Sequence, residues 1–225
     1  RSIATLVNKG LEELAPNDLI RREVKYIVEN YKDSTLVEEL IHDFVYEYIL
    51  ECGLEGQEDL VEVYKKNVKS EAKMALFEQM CNTWSSLCPG TPSPVFNLPD
   101  MNGKMVSLES MRGKFVYIDL WASWCGPCHR EIPFLKRLEK KFAGKNIVFV
   151  GISCDTDKEA WLKSMQNEGL DGIQLYMGDD LAFGKAYMVS NLPRFILVDP
   201  EGNIVEAYMT APSSPKTEER LQELL

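Results

Sequence analysis

Two cysteines three positions apart, Cys125 and Cys128 in "WASWCGPCHREIP" (121–133), are the residues of this 225-residue chain best placed to do chemistry. A C-x-x-C pair can be half of a metal site, a covalent staple, or a couple that cycles between dithiol and disulfide. A closed zinc site takes four Cys or His ligands, commonly from two such pairs. The chain has no second C-x-x-C and only two histidines, and one of them, His129, follows Cys128 directly on a helix and so points its ring elsewhere. No metal is therefore expected. As a staple the pair is poor, because closing so short a loop removes little entropy from the unfolded chain. The redox couple remains.

Placement supports it. The apolar run "KFVYIDLW" (114–121) reads as a strand that delivers Trp124 and Cys125 to the start of a helix. Helix N-termini carry unpaired N–H groups and the positive dipole end, both of which stabilise a thiolate. Cys125 is thus the expected low-pKa nucleophile, and Cys128, one turn further, the buried partner that resolves the mixed disulfide. Pro127 is tolerated because it falls in the first turn.

The surrounding elements divide the chain in two. Residues 1–88 read as helices, most clearly in "DSTLVEELIHDFVYEYILECG". There Leu36, Leu40, Phe44, Tyr48 and Cys52 form one row beside Val37, Ile41, Val45 and Ile49, which predicts one wide buried face. Thr35 with Glu38 reads as a capping box and Gly53 as the stop. Cys52 is then a buried structural thiol and His42 a surface residue. A break is expected near Ser70. "CPGTPSP" (88–94) cannot continue a helix and marks the boundary, giving a helical module over 1–88 and a second domain over 89–225.

Beyond it the periodicity changes. An Asn-Gly turn at 102–103 signals a hairpin. The runs at 114–121 and 146–153 are near-continuous and apolar, as in strands covered on both faces. Thr156 and Glu159 read as a capping box for a helix that stops at Gly169. "GIQLYM" is a short strand, "DLAFGKAYM" a helix, and "RFILVDPEGNIVEAYM" two strands joined by a turn at 201–203. Ser214 caps a last helix with Pro215 in its first turn. Strands alternating with helices make this half an α/β sheet that ends in a hairpin.

Composition is that of an ordinary globular protein, 45% hydrophobic and 27% charged, with a net charge of −10. Residues 1–88 hold 10 Lys/Arg against 17 Asp/Glu, and the remainder 15 against 18. An acidic chain without a basic stripe argues against a nucleic-acid partner. The first residue is Arg1, so a preceding signal or anchor segment is expected to have been removed.

"IDLWASWCGPC" after an apolar strand resembles the thioredoxin active site. Within that superfamily the chain is most similar to the TlpA/ResA-type thiol–disulfide oxidoreductases, through "SPVFNLPDMNGKMVSLESMRGKFVYIDLWASWCGPCHREIPFL" and "NLPRFILVDPEGNIV". The resemblance covers roughly 92–225, and the segment 155–178 matches the insertion that thioredoxins proper lack. It implies a thioredoxin-like α/β (α+β) fold, with a central mixed sheet flanked by helices and an extra helix–strand insertion, here preceded by an all-α region.

The resemblance also assigns roles. Pro193 matches the cis-proline that lies against the cysteine pair and presents the preceding backbone, here Leu192, to a substrate peptide. Trp124, Gly126 and Pro127 complete the substrate-facing rim, whereas Trp121 is packing. Asp119, six residues before Cys125, matches the buried aspartate that moves protons to and from the buried cysteine. Glu131 matches a glutamate that tunes the cysteines, and Pro133 a helix-kinking proline. The basic residue that thioredoxin places opposite its aspartate has no counterpart, the aligned stretch reading "FVGISC". Cys154 is expected to be a bystander. The Gly-Pro pair inside the motif points to a reductase of protein disulfides, recharged by a membrane-bound thiol donor in an extracytoplasmic, periplasmic setting, with no cofactor. Two other readings are kept. One is an interaction or scaffold protein recruited through the helical module, which would have its own partner. The other is a peroxiredoxin-like peroxidase, weakened by Ala122 where a threonine is usual.

Overall fold

The computed structural model describes residues 16–225, with side chains from Asp18 onward; the helical expectation for residues 1–15 lies outside them. The chain forms two compact units, one ending at Ser85 and the other running from Ser86 to Leu225.

The first unit contains α1 (Pro16–Asn30), α2 (Ser34–Cys52), α3 (Glu58–Asn67) and α4 (Glu71–Ser85) among its described residues. Val68–Ser70 separates α3 from α4, where the break is expected. Tyr64 and Phe77 stack with ring centroids 3.7 Å apart. The Tyr64 hydroxyl donates to Lys73 O and lies 2.7 Å from His42 Nδ1. His42 is therefore half-buried and bonded, not the free surface residue its position off the apolar row predicts.

Three further expectations in this unit are corrected. Asp33, not Thr35, caps α2, its carboxylate accepting from Thr35 N–H and Leu36 N–H. Glu38 accepts from Ser70 N–H instead of closing a capping box. Of the two apolar rows, Ile41, Val45 and Ile49 are buried, whereas Leu36 and Cys52 are exposed. Nine apolar positions on one helix form a face wider than the neighbouring helices cover.

The second unit is built on a five-stranded sheet of order β5-β4-β3-β6-β7. Its strands are β3 (Phe115–Trp121), β4 (Ile147–Ser153), β5 (Ile173–Tyr176), β6 (Arg194–Val198) and β7 (Ile204–Met209). β3, β4 and β5 run parallel, and β6 and β7 are antiparallel additions. A separate hairpin pairs β1 (Asn97–Pro99) with β2 (Met105–Ser107). Its turn needs Gly103 at φ 82°, and the Asp100 carboxylate accepts from Asn102 and Lys104 N–H.

The helices are α5 (Gly126–Lys141), α6 (Lys158–Glu168), the short α7 (Ala182–Ala186) and α8 (Pro215–Leu224). Tyr117 from β3, Phe195 and Leu197 from β6, and Met209 from β7 pack with Leu135 and Leu138 of α5 and Leu221 of α8. α5 and α8 thus cover the face onto which Tyr117 points. Because the β3–α5–β4 and β4–α6–β5 crossovers progress in the same direction across the sheet, α6 lies beside α5, and Lys136 Nζ donates to Glu168 O.

Two caps differ from expectation. Asp157, not Thr156, caps α6, accepting from Glu159 and Ala160 N–H; the helix does stop at Gly169 in the left-handed region. Ser214 occupies the N-cap of α8, but its hydroxyl makes no capping bond.

Candidate active site

The helix that carries the cysteines starts where β3 stops. Trp121 pairs with Ser153 on the last rung. The backbone then leaves the sheet, and Cys125 N–H donates to Ala122 O at 3.0 Å. Cys125 takes extended dihedrals, φ −84° and ψ 93°, as the N-cap of α5, and its Sγ accepts from Cys128 N–H at 3.2 Å. A sulfur held there faces the positive end of the helix, which favours its anion. Pro127 sits in the first turn, where its missing N–H costs no bond. α5 continues through Pro133 to Lys141.

Cys125 and Cys128 are joined as a disulfide, with Cα atoms 5.3 Å apart, so the structure is that of the oxidised form. Each cysteine is 3% exposed. In this state Cys125 is as covered as Cys128. What is open around them is Trp124, 70% exposed, with Gly126 and Pro127. Behind the disulfide the two cysteines pack with Trp121, Ala122, Trp161 and Met165, and Leu192 lies against that cluster. The Leu192–Pro193 peptide is cis. The fold therefore brings Leu192, 64 residues beyond Cys128 in sequence, against the cluster that holds the cysteines.

Asp119 lies two residues before Trp121 on the same face of β3. It is buried, and its Oδ1 has no hydrogen-bond partner among the described residues. Burial, followed by the charges of Glu131 and Glu139, pushes its carboxyl up to about 7. The Glu131 carboxylate itself accepts from Ser213 N–H and Ser213 Oγ–H, both at 2.9 Å. It ties α5 to the turn before α8, and the effect of its charge falls on Asp119. Cys154 follows β4, and burial, then Asp155 and Asp119, push its thiol up to about 12. A thiol so held stays protonated and non-nucleophilic.

Sequence reasoning missed the polar network under the loop. The Asp155 carboxylate accepts from Ser123 N–H at 2.9 Å, Ser123 Oγ–H at 2.7 Å and Ser153 Oγ–H at 2.8 Å. His129 Nε2 donates to Ser123 O at 2.9 Å, and its Nδ1 lies 2.9 Å from Glu168 Oε1. The residue set aside as a metal ligand is a strut between α5, α6 and the loop. The only sequence signal was a polar cluster, "SCDTD", straight after a buried strand. Asp155 is buried and holds Ser123 by two bonds, so Asp155→Ala leaves that N–H unpaired. We expect it to cost about 2–3 kcal/mol in urea unfolding, with the protein still folded.

The Redoxin family model matches residues 89–225. The thiol-disulfide oxidoreductase ResA of Bacillus subtilis is 32% identical over 121 residues, covering 54% of this chain and 67% of that protein. Among solved structures, a Bacteroides vulgatus protein titled a thiol-disulfide oxidoreductase is 54% identical, with a TM-score of 0.56, covering 62% of this chain and 92% of that one. A second from the same organism is 39% identical with a TM-score of 0.60, covering 63% and 99%. A Chlorobium tepidum structure titled thiol:disulfide interchange protein DsbE is 27% identical with a TM-score of 0.54, covering 61% and 95%.

Proposed function

The chain belongs to the redoxin family and is a thiol–disulfide oxidoreductase, and from that premise we propose that it works as a reductant of protein disulfides. The observation that carries the reading is the Cys125–Cys128 disulfide at the N-terminus of α5. In the reduced protein the Cys125 thiolate attacks a target disulfide, forms a Cys125–target bond and expels the other target sulfur as a thiolate. Cys128 then gives its proton to the Asp119 carboxylate, and its sulfur attacks Cys125. The intramolecular disulfide forms, the Cys125–target bond breaks, and the target leaves as a thiolate with the bonding electrons.

The remaining assignments follow the same reading. Trp124, Gly126, Pro127, Leu192 and Pro193 form the rim that meets the target; exposure of the first three and the packing of Leu192 against the cluster that holds the cysteines support this. Glu131 acts through its charge on Asp119. The helices from Pro16 to Ser85 serve as a module with its own partner, and residues 89–225 as the catalytic domain. The likeness to ResA and DsbE favours an extracytoplasmic, periplasmic setting, where a membrane-bound thiol protein returns the electrons.

The test is the reduction potential of the couple, read from Trp fluorescence across a thiol–disulfide buffer series. A reductant sits near thioredoxin, about −270 mV. A value near −120 mV, that of a strong oxidant, would overturn the direction and redirect the search to newly secreted, still reduced chains.

A further inference from the structure

The sheet row through Asp119 holds an unusual pair. In the ladder, Asp119 on β3 is level with Gly151 on β4, and Gly151 with Gln174 on β5. Residues level across a sheet share a face, so all three belong to the face under α5 and α6. Gly151 is not required for backbone conformation. It matters because the Gln174 carboxamide lies over it: a Cβ built there would overlap Gln174 Oε1 and stand 2.8 Å from the carboxamide carbon. The glutamine thus fills the side-chain space of the residue between itself and Asp119.

Two buried oxygens on this row lack partners. Asp119 Oδ1 and Gln174 Oε1 are both without a hydrogen bond among the described residues, although Gln174 is 8% exposed and Asp119 equally so. The Gln174 amide N–H has an acceptor, Asp171 O at 3.4 Å. Two orphaned acceptors on one sheet row carry a double desolvation cost, which a proton shared between them would relieve. A protonated Asp119 supplies that proton, since a neutral carboxyl is a donor and a carboxamide oxygen an acceptor.

We propose that Gln174 is the positioning residue for the proton of Asp119: its Oε1, reaching across the gap left by Gly151, accepts the Asp119 carboxyl O–H, directly or through one water. This rests on Asp119 being the proton carrier of the exchange reaction. In the reducing direction the carboxyl receives the Cys128 proton as the disulfide closes, so the oxidised form is the one in which the contact is tested. Gln174 also lines a surface groove of about 460 Å³ with Asp100, Met165, Leu170 and Asp171. The ionisable groups around Asp119 are Glu131 and Glu139 of α5, Tyr117 of its own strand and Cys154 beyond β4. Lys136 and Asp171 face Glu139 in turn. The charges that act on Asp119 among the described residues are acidic, those of Glu131 and Glu139.

The measurement is the carbon-13 titration of the Asp119 carboxyl in the full, oxidised chain. Gln174→Met removes the acceptor at similar volume, and Gly151→Ala places a methyl where the amide lies. Gln174→Asn, one methylene shorter, is the milder variant should either misfold, with unfolding midpoints checking each. Losing an acceptor of the neutral form lowers the midpoint by about one pH unit, tenfold in the acid constant, in Gln174→Met and Gly151→Ala, and by a smaller step in the same direction in Gln174→Asn. An unchanged or raised midpoint in the folded variants overturns the proposal. A rate arm separates it from the reading beneath it. Gln174→Met slows disulfide exchange at pH 6 about tenfold with Asp119 present and less than twofold in the Asp119→Asn background; equal losses in both mean a merely structural glutamine. If Asp119→Asn alone leaves exchange unchanged, the proton-carrier reading fails, while the titration still decides the Asp119–Gln174 contact.

Discussion

Replacing Cys128 by Ser abolishes turnover, by at least a thousandfold, and leaves the protein covalently attached to its targets. Proximity sets the size of the effect. In the native chain the Cys128 sulfur is held one helical turn from Cys125, and the two are bonded in the oxidised form; the proposed resolution step is thus intramolecular. A well-oriented intramolecular group acts at an effective concentration of roughly 10⁵–10⁸ M, which no free thiol in solution approaches. Without it, the Cys125–target disulfide forms and stays. Cys125 keeps its N-cap position, so its anion is still stabilised and the first attack proceeds. Cys154 cannot stand in, since burial holds its thiol up to about 12 and a protonated thiol does not attack.

On a non-reducing gel the Cys128→Ser protein should shift to higher-mass adducts that collapse with dithiothreitol. The Cys125→Ser protein should show none, because it lacks the first nucleophile. Adducts in both would locate the reactive thiol elsewhere and remove the basis of the proposed mechanism. Mass spectrometry of the trapped partners identifies the targets, whose identity the Gly126–Pro127 pair does not encode.

What could be read from the sequence follows the range of the interactions involved. Cys125 as helix cap was legible because everything that defines it is local: an apolar strand, a short turn, and Pro127 in the only helical turn that accepts it. The caps failed by one or two residues for an equally local reason. "KDST" and "CDTD" each offer several side chains able to bond the same N–H groups, and the aspartate won in both. His42 bonds Tyr64, 22 residues away, Asp155 bonds Ser123 across 32, and Glu131 bonds Ser213 across 82. Such partners are set by packing, and no spacing rule names them. Gly151 is the sharpest case. In sequence it is a glycine interrupting a strand, and its meaning appears only once β5 lays Gln174 over it.

The second large effect concerns stability, and its sign is opposite to that of most aspartates. The folded protein holds the Asp119 carboxyl at about 7, through burial and then Glu131 and Glu139, against an unfolded value near 3.8. Between those two pH values the native state binds a proton that the unfolded state has released. The free energy of unfolding therefore falls as pH rises across that window. The contribution is fully present below pH 3.8 and lost as pH passes 7, a change of roughly 4 kcal/mol by linkage. Other carboxyls titrate too, Glu139 in the same direction through burial and Glu218 in the other through Lys141, so the informative quantity is the difference from a variant. Asp119→Asn should match the native protein near pH 4 and exceed it progressively toward pH 8, by up to about 4 kcal/mol in urea unfolding of the oxidised form. A constant offset across pH would mean that Asp119 is ionised in the folded chain. The same variant should slow thiol–disulfide exchange by roughly a hundredfold near neutral pH, within the usual range for loss of a general acid–base. Gain in stability with loss of rate has one physical cause: a carboxyl kept out of water strains the fold at the pH where its proton is ready to move.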